Sequence, residues 1–131
     1  MVPKEIEVIL TRHLASCLAM PIFIVDTQGN LIFYNEPAES ILGRRFEETG
    51  EVTFNDWTVA FSPADEYGQP IPYQELPLVI ALDQKHPSTR SFWIHGLDKV
   101  SRHIAVTAFP LIGQEKRFLG AVAIFWELKL T

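Results

Sequence analysis

From residue 88 onward the chain reads as three β-strands in a row, and neither face of the sheet they would form is polar. The spans 88–97, 102–111 and 118–128 are joined by a turn through Asp98-Lys99 and a loop over 113–117, so they pair as antiparallel neighbours in a meander. In the second strand Ile104, Val106 and Ala108 alternate with His103, Ala105, Thr107 and Phe109. In the third, Ala121, Ala123 and Phe125 alternate with Val122, Ile124 and Trp126. An antiparallel sheet with one wet face would carry a polar residue at every second place. This sheet therefore needs a cover on both sides.

Two parts of the sequence offer covers. Residues 3–19 have helical spacing, with Ile6, Leu10, Leu14 and Cys17 on one stripe and Ile9, His13 and Leu18 beside it. Glu5 and Glu7 suit the positive end of the helix dipole, and Pro21 ends the helix. The stripe serves equally to cover the chain's own sheet or to pair with a second copy. A second helix is expected over 73–85, with Pro77 in its first turn and Leu76, Val79, Ile80 and Leu82 on its buried side.

Residues 21–35 add a hairpin. Ile22, Phe23, Ile24 and Val25 lead through Thr27-Gln28-Gly29-Asn30 into Leu31, Ile32, Phe33 and Tyr34. Asn35 is the expected N-cap of a short helix, with Pro37 near its start and Gly43 as its C-cap. Residues 44–74 hold neither period for long. They read as one or two short helices, then a loop with Pro63, Pro70, Pro72 and Gly68.

Composition narrows the classes. A chain of 131 residues suits one domain. A net charge of −5, with no basic face, argues against nucleic acid as the main partner. Cys17 is the only cysteine, which removes an intrachain disulfide and a cysteine-built metal site. The acidic, amphipathic start is unlike a secretory signal, and the longest apolar run, 119–126, is far too short to span a membrane. A cytoplasmic setting, with no membrane and no metal, is the expectation.

The ordered pattern resembles a PAS domain of the bacterial sensor type. The likeness covers about residues 20–128 and rests on three blocks. Ile24-Val25-Asp26-Thr27-Gln28-Gly29-Asn30-Leu31-Ile32-Phe33-Tyr34-Asn35, running into Gly43, is similar to the family's opening hairpin and first helix. Gly68-Gln69-Pro70-Ile71-Pro72 with Glu75-Leu76-Pro77-Leu78-Val79-Ile80-Ala81-Leu82 is similar to its loop and long helix. Ala105-Val106-Thr107-Ala108-Phe109-Pro110-Leu111 and Gly120-Ala121-Val122-Ala123-Ile124-Phe125 are similar to its last two strands. The resemblance implies an α+β fold: a five-stranded antiparallel sheet of order 2-1-5-4-3 with short helices on one face enclosing a ligand cavity, to which the chain's own periodicity adds an N-terminal amphipathic helix. Residues 1–19 form that helix and 20–131 the domain. The chain departs from the family at its end, where 126–131 replaces the frequent Asp-Ile-Thr and signalling helix, so either the domain acts alone or an effector is missing from this sequence.

The resemblance raises two cofactors. The light-sensing branch holds flavin with an Asn-Cys-Arg motif and sheet amides; this chain has neither, since Cys17 precedes the fold and the inward sheet positions are Ile94, Ile104 and Phe125. A haem would need His86 or His95 as its ligand, against a plain polar or capping role for each. Catalytic groupings are missing as well. No serine carries a nucleophile elbow, no glycine loop suits a phosphate, and Asp26 and Asn35 are explained by turn and cap geometry.

The expected pocket is apolar, walled by Phe23, Val25, Trp57, Phe61, Leu78, Leu82, Phe92, Ile94, Ile104 and Phe125, unless these simply fill the core. Its ligand would be largely apolar with one or two polar handles. The expected interface is Ile6, Leu10 and Leu14 with Val122, Ile124 and Trp126. The function that follows is non-enzymatic sensing: a small apolar ligand or a protein partner, relayed through a homodimer or through an effector such as a histidine kinase or cyclase. A ligand-free dimerising or docking scaffold, and a small α+β enzyme of similar pattern, are the rival readings.

Overall fold

The structure, a computed structural model, describes residues 6–128. Helix α1 (Ile6–Cys17) leads into the hairpin β1 (Ile22–Val25) and β2 (Leu31–Tyr34). Three short helices follow: α2 (Glu36–Leu42), α3 (Phe46–Thr49) and α4 (Phe54–Phe61). A 3₁₀ turn (Tyr73–Glu75) precedes α5 (Pro77–Gln84), and the chain closes with β3 (Ser88–His95), β4 (Ser101–Ile112) and β5 (Phe118–Glu127). The five strands form one antiparallel sheet of order β2-β1-β5-β4-β3. The first and last strands of the sequence thus meet at its centre.

Side-chain alternation splits this sheet into two apolar faces. Phe23, Val25, Phe92, Ile94, Ile104, Val106, Ala121, Ala123 and Phe125 point inward, into a core shared with α2, α4 and α5. Ile22, Ile24, Ile32, Leu119 and Val122 point outward, where α1 covers them with Val8 and Ala15. At Gly120, where β5 crosses β1, the backbone has φ +141°, and a Cβ would lie 2.1 Å from the Val25 carbonyl oxygen. Only glycine lets the two strands approach so closely there.

Three expectations need correction. The α1 stripe does not face the sheet: Ile6, Leu10 and Leu14 are 66%, 59% and 61% exposed. The outer sheet face is already filled by branched side chains, so the helix approaches on its slimmer side, through Val8 and Ala15. Between them the stem of Arg12 lies along the sheet, its guanidinium 4.6 Å from the Phe33 ring centre. The helix also ends at Cys17 instead of 19, and the part expected over 3–5 lies outside the described residues.

The helix expected over 73–85 is broken in two. Leu76 is extended (φ −74°, ψ 137°) because Pro77 follows it, and Pro77 opens α5 as its first residue. His95 pairs with Ser101, while His103 pairs with Trp93 and stacks on it at 4.7 Å.

Candidate functional site

The inner core holds an apolar cavity of about 60 Å³. The opening hairpin builds one side of it. Asp26 accepts from the amides of Gln28 (2.9 Å) and Asn30 (3.0 Å), which fixes the tip. The tip then grips α4: the Asn30 side chain accepts from the Phe54 amide at 3.0 Å, and Trp57 donates its indole N–H to the Gly29 carbonyl at 2.8 Å. That grip turns Trp57 and Phe61 toward Phe23, with ring centres 5.2 and 6.4 Å away in edge-to-face arrangement. The sheet supplies Phe92, Ile94, Ile104, Val106, Ala123 and Phe125 from below.

Eight of the ten expected pocket residues line this cavity: Phe23, Trp57, Phe61, Leu78, Phe92, Ile94, Ile104 and Phe125. Val25 and Leu82 do not. Both are buried in the core, but each sits further along its element, and Leu82 packs toward the hairpin tip beside Gly29. Sequence reading missed Leu42, Pro63, Leu76, Pro77, Val106 and Ala123 as walls. The inward parity of Val106 and Ala123 was a usable signal; Pro63 comes from an irregular loop with no period to follow.

The walls present no polar surface to the cavity. Nearby polar groups are engaged elsewhere. The Trp57 indole is bound to Gly29, and the Tyr34 hydroxyl sits 2.9 Å from both the Arg44 carbonyl, to which it donates, and Thr49 Oγ1. Burial pushes the Tyr34 pKa up. Among the described residues, no group of three His, Cys, Asp or Glu side chains is placed to hold a metal ion. His86 is exposed at the α5–β3 link, its ring nitrogens against Pro87 and Gln84, and His95 is exposed on the outer face. Neither reaches the cavity. Cys17 is exposed at the end of α1.

Asn35 joins the two sides of the molecule. It is 1% exposed, and its side chain makes four hydrogen bonds. Oδ1 accepts from the amides of Ile22 (2.9 Å) and Ala38 (3.3 Å); Nδ2 donates to the carbonyls of Ala15 (2.9 Å) and Met20 (2.8 Å). The expected N-cap of α2 is therefore also the clasp for the C-terminal end of α1. A second tie holds the other end, where Glu7 bridges Arg117 at 2.6 Å and accepts from the Gln114 amide. Hydrogen bonds from its own backbone amide and that of Gln114, with Arg117 alongside, keep the Glu7 carboxyl below its ordinary pKa.

A third latch holds α2 on the sheet. Arg102 donates to the Ile41 carbonyl at 2.8 Å and pairs with both oxygens of Asp98, while the Leu97 amide donates to the Leu42 carbonyl. Hydrogen bonds from Arg102 hold Asp98 at a pKa of about 2. Among the described residues the outer face beyond α1 is partly exposed. Trp126 is 41% exposed opposite Ala105, and Trp93 is 37% exposed. Of the expected interface, Val122 is buried beneath α1, Ile124 is half-buried, and Trp126 lies clear of the helix.

No family model matches the chain, and no curated protein matches it. Solved structures do. The PAS domain of Bordetella pertussis BvgS aligns over 96% of this chain and 89% of its own, at 15% identity and a TM-score of 0.68. The PAS domain of nitrogen regulation protein NR(II) from Vibrio parahaemolyticus aligns over 91% and 98%, at 15% identity and a TM-score of 0.64. The Rhodobacter sphaeroides LOV protein aligns over 95% and 69%, at 12% identity and a TM-score of 0.72. The fold of this chain is the PAS fold.

Proposed function

We propose that this chain is a non-enzymatic sensory module, located in the cytoplasm, that takes a small apolar ligand in the inner cavity and relays its presence through α1. The observation that carries the reading is the conjunction of an apolar core cavity with Asn35, one buried side chain bonded to both the inner and the outer layers. A ligand that spreads the α2–α4 cover strains the bonds that Asn35 makes to Ala38 and Ala15 together. The exposed stripe Ile6, Leu10 and Leu14, with Trp126 on the open sheet, is the surface that would then meet a second copy or an effector such as a histidine kinase or cyclase.

Neither haem nor flavin belongs to this reading. No histidine reaches the cavity, and an isoalloxazine needs more room than the ~150 Å³ that accepts a single benzene ring. A catalytic role lacks an acid or base at the cavity wall. The ligand-free scaffold keeps a claim, because the exposed stripe is present with or without a ligand. Native mass spectrometry of the protein purified without added ligand separates the two. A co-purifying small molecule supports sensing. A clean apo dimer that also fails to bind added xenon or propane supports the scaffold, and a clean apo monomer removes the relay surface.

A further inference from the structure

We infer that the ligand of the inner cavity is an apolar molecule without any hydrogen-bonding group and smaller than benzene, such as a short hydrocarbon or an apolar gas. This rests on the reading of the cavity as a ligand site and gives it a chemical class. The expectation from such sites in general is a mostly apolar ligand fixed by one or two polar handles. Here the handles are missing. The walls offer no polar surface, and the one lining side chain with a polar atom, Trp57, donates its N–H to Gly29 at 2.8 Å.

Turning that indole toward a ligand would free the Gly29 carbonyl and undo the grip of the hairpin tip on α4. A hydroxyl or amide brought into the cavity would therefore lose its water and gain no partner, which lowers affinity by about one to two orders of magnitude. The walls favour polarisable apolar atoms instead. Phe23, Trp57, Phe61, Phe92 and Phe125 surround the space with ring faces and edges.

Size sets the other limit. The cavity holds about 60 Å³. A single water needs roughly 10–15 Å³ with two or more polar partners, and an apolar cavity of ~150 Å³ stays dry and accepts benzene or xenon. This space lies between those two, and its apolar walls leave it dry. Pro63, Leu76 and Pro77 on one side and sheet residues on the other hold it at that volume, since proline rings have little freedom to move aside.

Xenon is the direct probe. Methyl-detected NMR of the full chain under xenon pressure is expected to show saturable shifts at Leu78, Ile94, Ile104 and Val106, and none at the α1 residues Ile6, Leu10 and Leu14. Ala123→Leu, which fills the cavity, is expected to abolish those shifts. Should that variant fail to fold, Phe92→Leu enlarges the same space and is expected to admit benzene, which the wild type excludes. Propane is expected to bind at least tenfold more tightly than ethanol. Ethanol binding as well as propane, wild-type binding of benzene, or no response to xenon or propane would each overturn the inference. If these probes are silent while native mass spectrometry finds a co-purifying molecule, the ligand class is wrong and the sensing reading survives. If the probes bind and nothing co-purifies, the class stands, because a volatile apolar ligand leaves during purification.

Discussion

The two faces of the sheet are equally apolar in sequence but finished in different ways. The inner face is closed by α2, α4 and α5, its lining residues are buried, and the polar groups around it are spent on each other. The outer face is closed over only one half, by the slim side of α1, and the other half leaves Trp93 and Trp126 partly in water. Among the described residues Ile6, Leu10 and Leu14 turn outward while Trp93 and Trp126 stay partly exposed. On the proposed reading the closed side takes the small ligand and the partly exposed side meets a protein surface.

The strongest way to break this contrast is to cut the joint between the faces. Asn35→Ala leaves the Ala15 and Met20 carbonyls and the Ile22 and Ala38 amides without their side-chain partner, and is expected to cost about 4 kcal/mol in urea unfolding. Asn35→Asp keeps the acceptor but sets a carboxylate oxygen against the Ala15 and Met20 carbonyls, so it should drive α1 off selectively, read as faster amide exchange over 6–17 with the core unchanged. An equal loss across the whole chain would mean that Asn35 is only a cap.

Gly120→Ala attacks the wall between the faces. A Cβ cannot lie 2.1 Å from the Val25 oxygen, so β5 must shift from β1, at about 3 kcal/mol. A loss under about 1 kcal/mol would show that this crossing has slack.

The Asp98–Arg102 latch sharpens the inner side. Its folded pKa of about 2 lies below the ordinary 3.8, so its contribution is complete above that ordinary value and fades as pH falls toward 2. Wild-type protein should therefore lose more stability than Asp98→Asn between pH 5 and pH 2 in chemical unfolding. Glu7 is shifted in the same direction, so Glu7→Gln is the matching control for the outer side. Parallel curves for wild type and Asp98→Asn would remove the latch.

The smallest effect on stability belongs to the open half. Trp126→Asp should change unfolding by less than about 1 kcal/mol yet weaken self-association in sedimentation at micromolar concentration. An unchanged mass and melting temperature would mean that this surface does nothing.

The strand order, which pairs the first strand with the last, came only from the family resemblance; strand count and parity were legible because alternation and turn residues are local signals. Ile94, Ile104 and Phe125 were placed inward on that basis, and the structure has them at the cavity wall. Depth along an element was not legible: Val25 and Leu82 share the right face but stop short of the cavity. The stripe Ile6, Leu10 and Leu14 left the packing side of α1 open between the chain's own sheet and a second copy, whereas a sheet face already filled by Ile22, Ile24 and Val122 has room only for Val8 and Ala15. Asn35 was legible as a cap from its neighbours. Its bonds to Ala15 and Met20 were hidden, because a backbone carbonyl carries no mark in a sequence.

Amide exchange of α1 in the cavity-filled Ala123→Leu variant tests most directly whether the inner cavity speaks to the outer face. Filling the cavity should change exchange over 6–17 several-fold through Asn35, and Asn35→Asp should remove that response. Altered exchange in β4, β5 and α5 with unchanged rates in α1 would contradict the account.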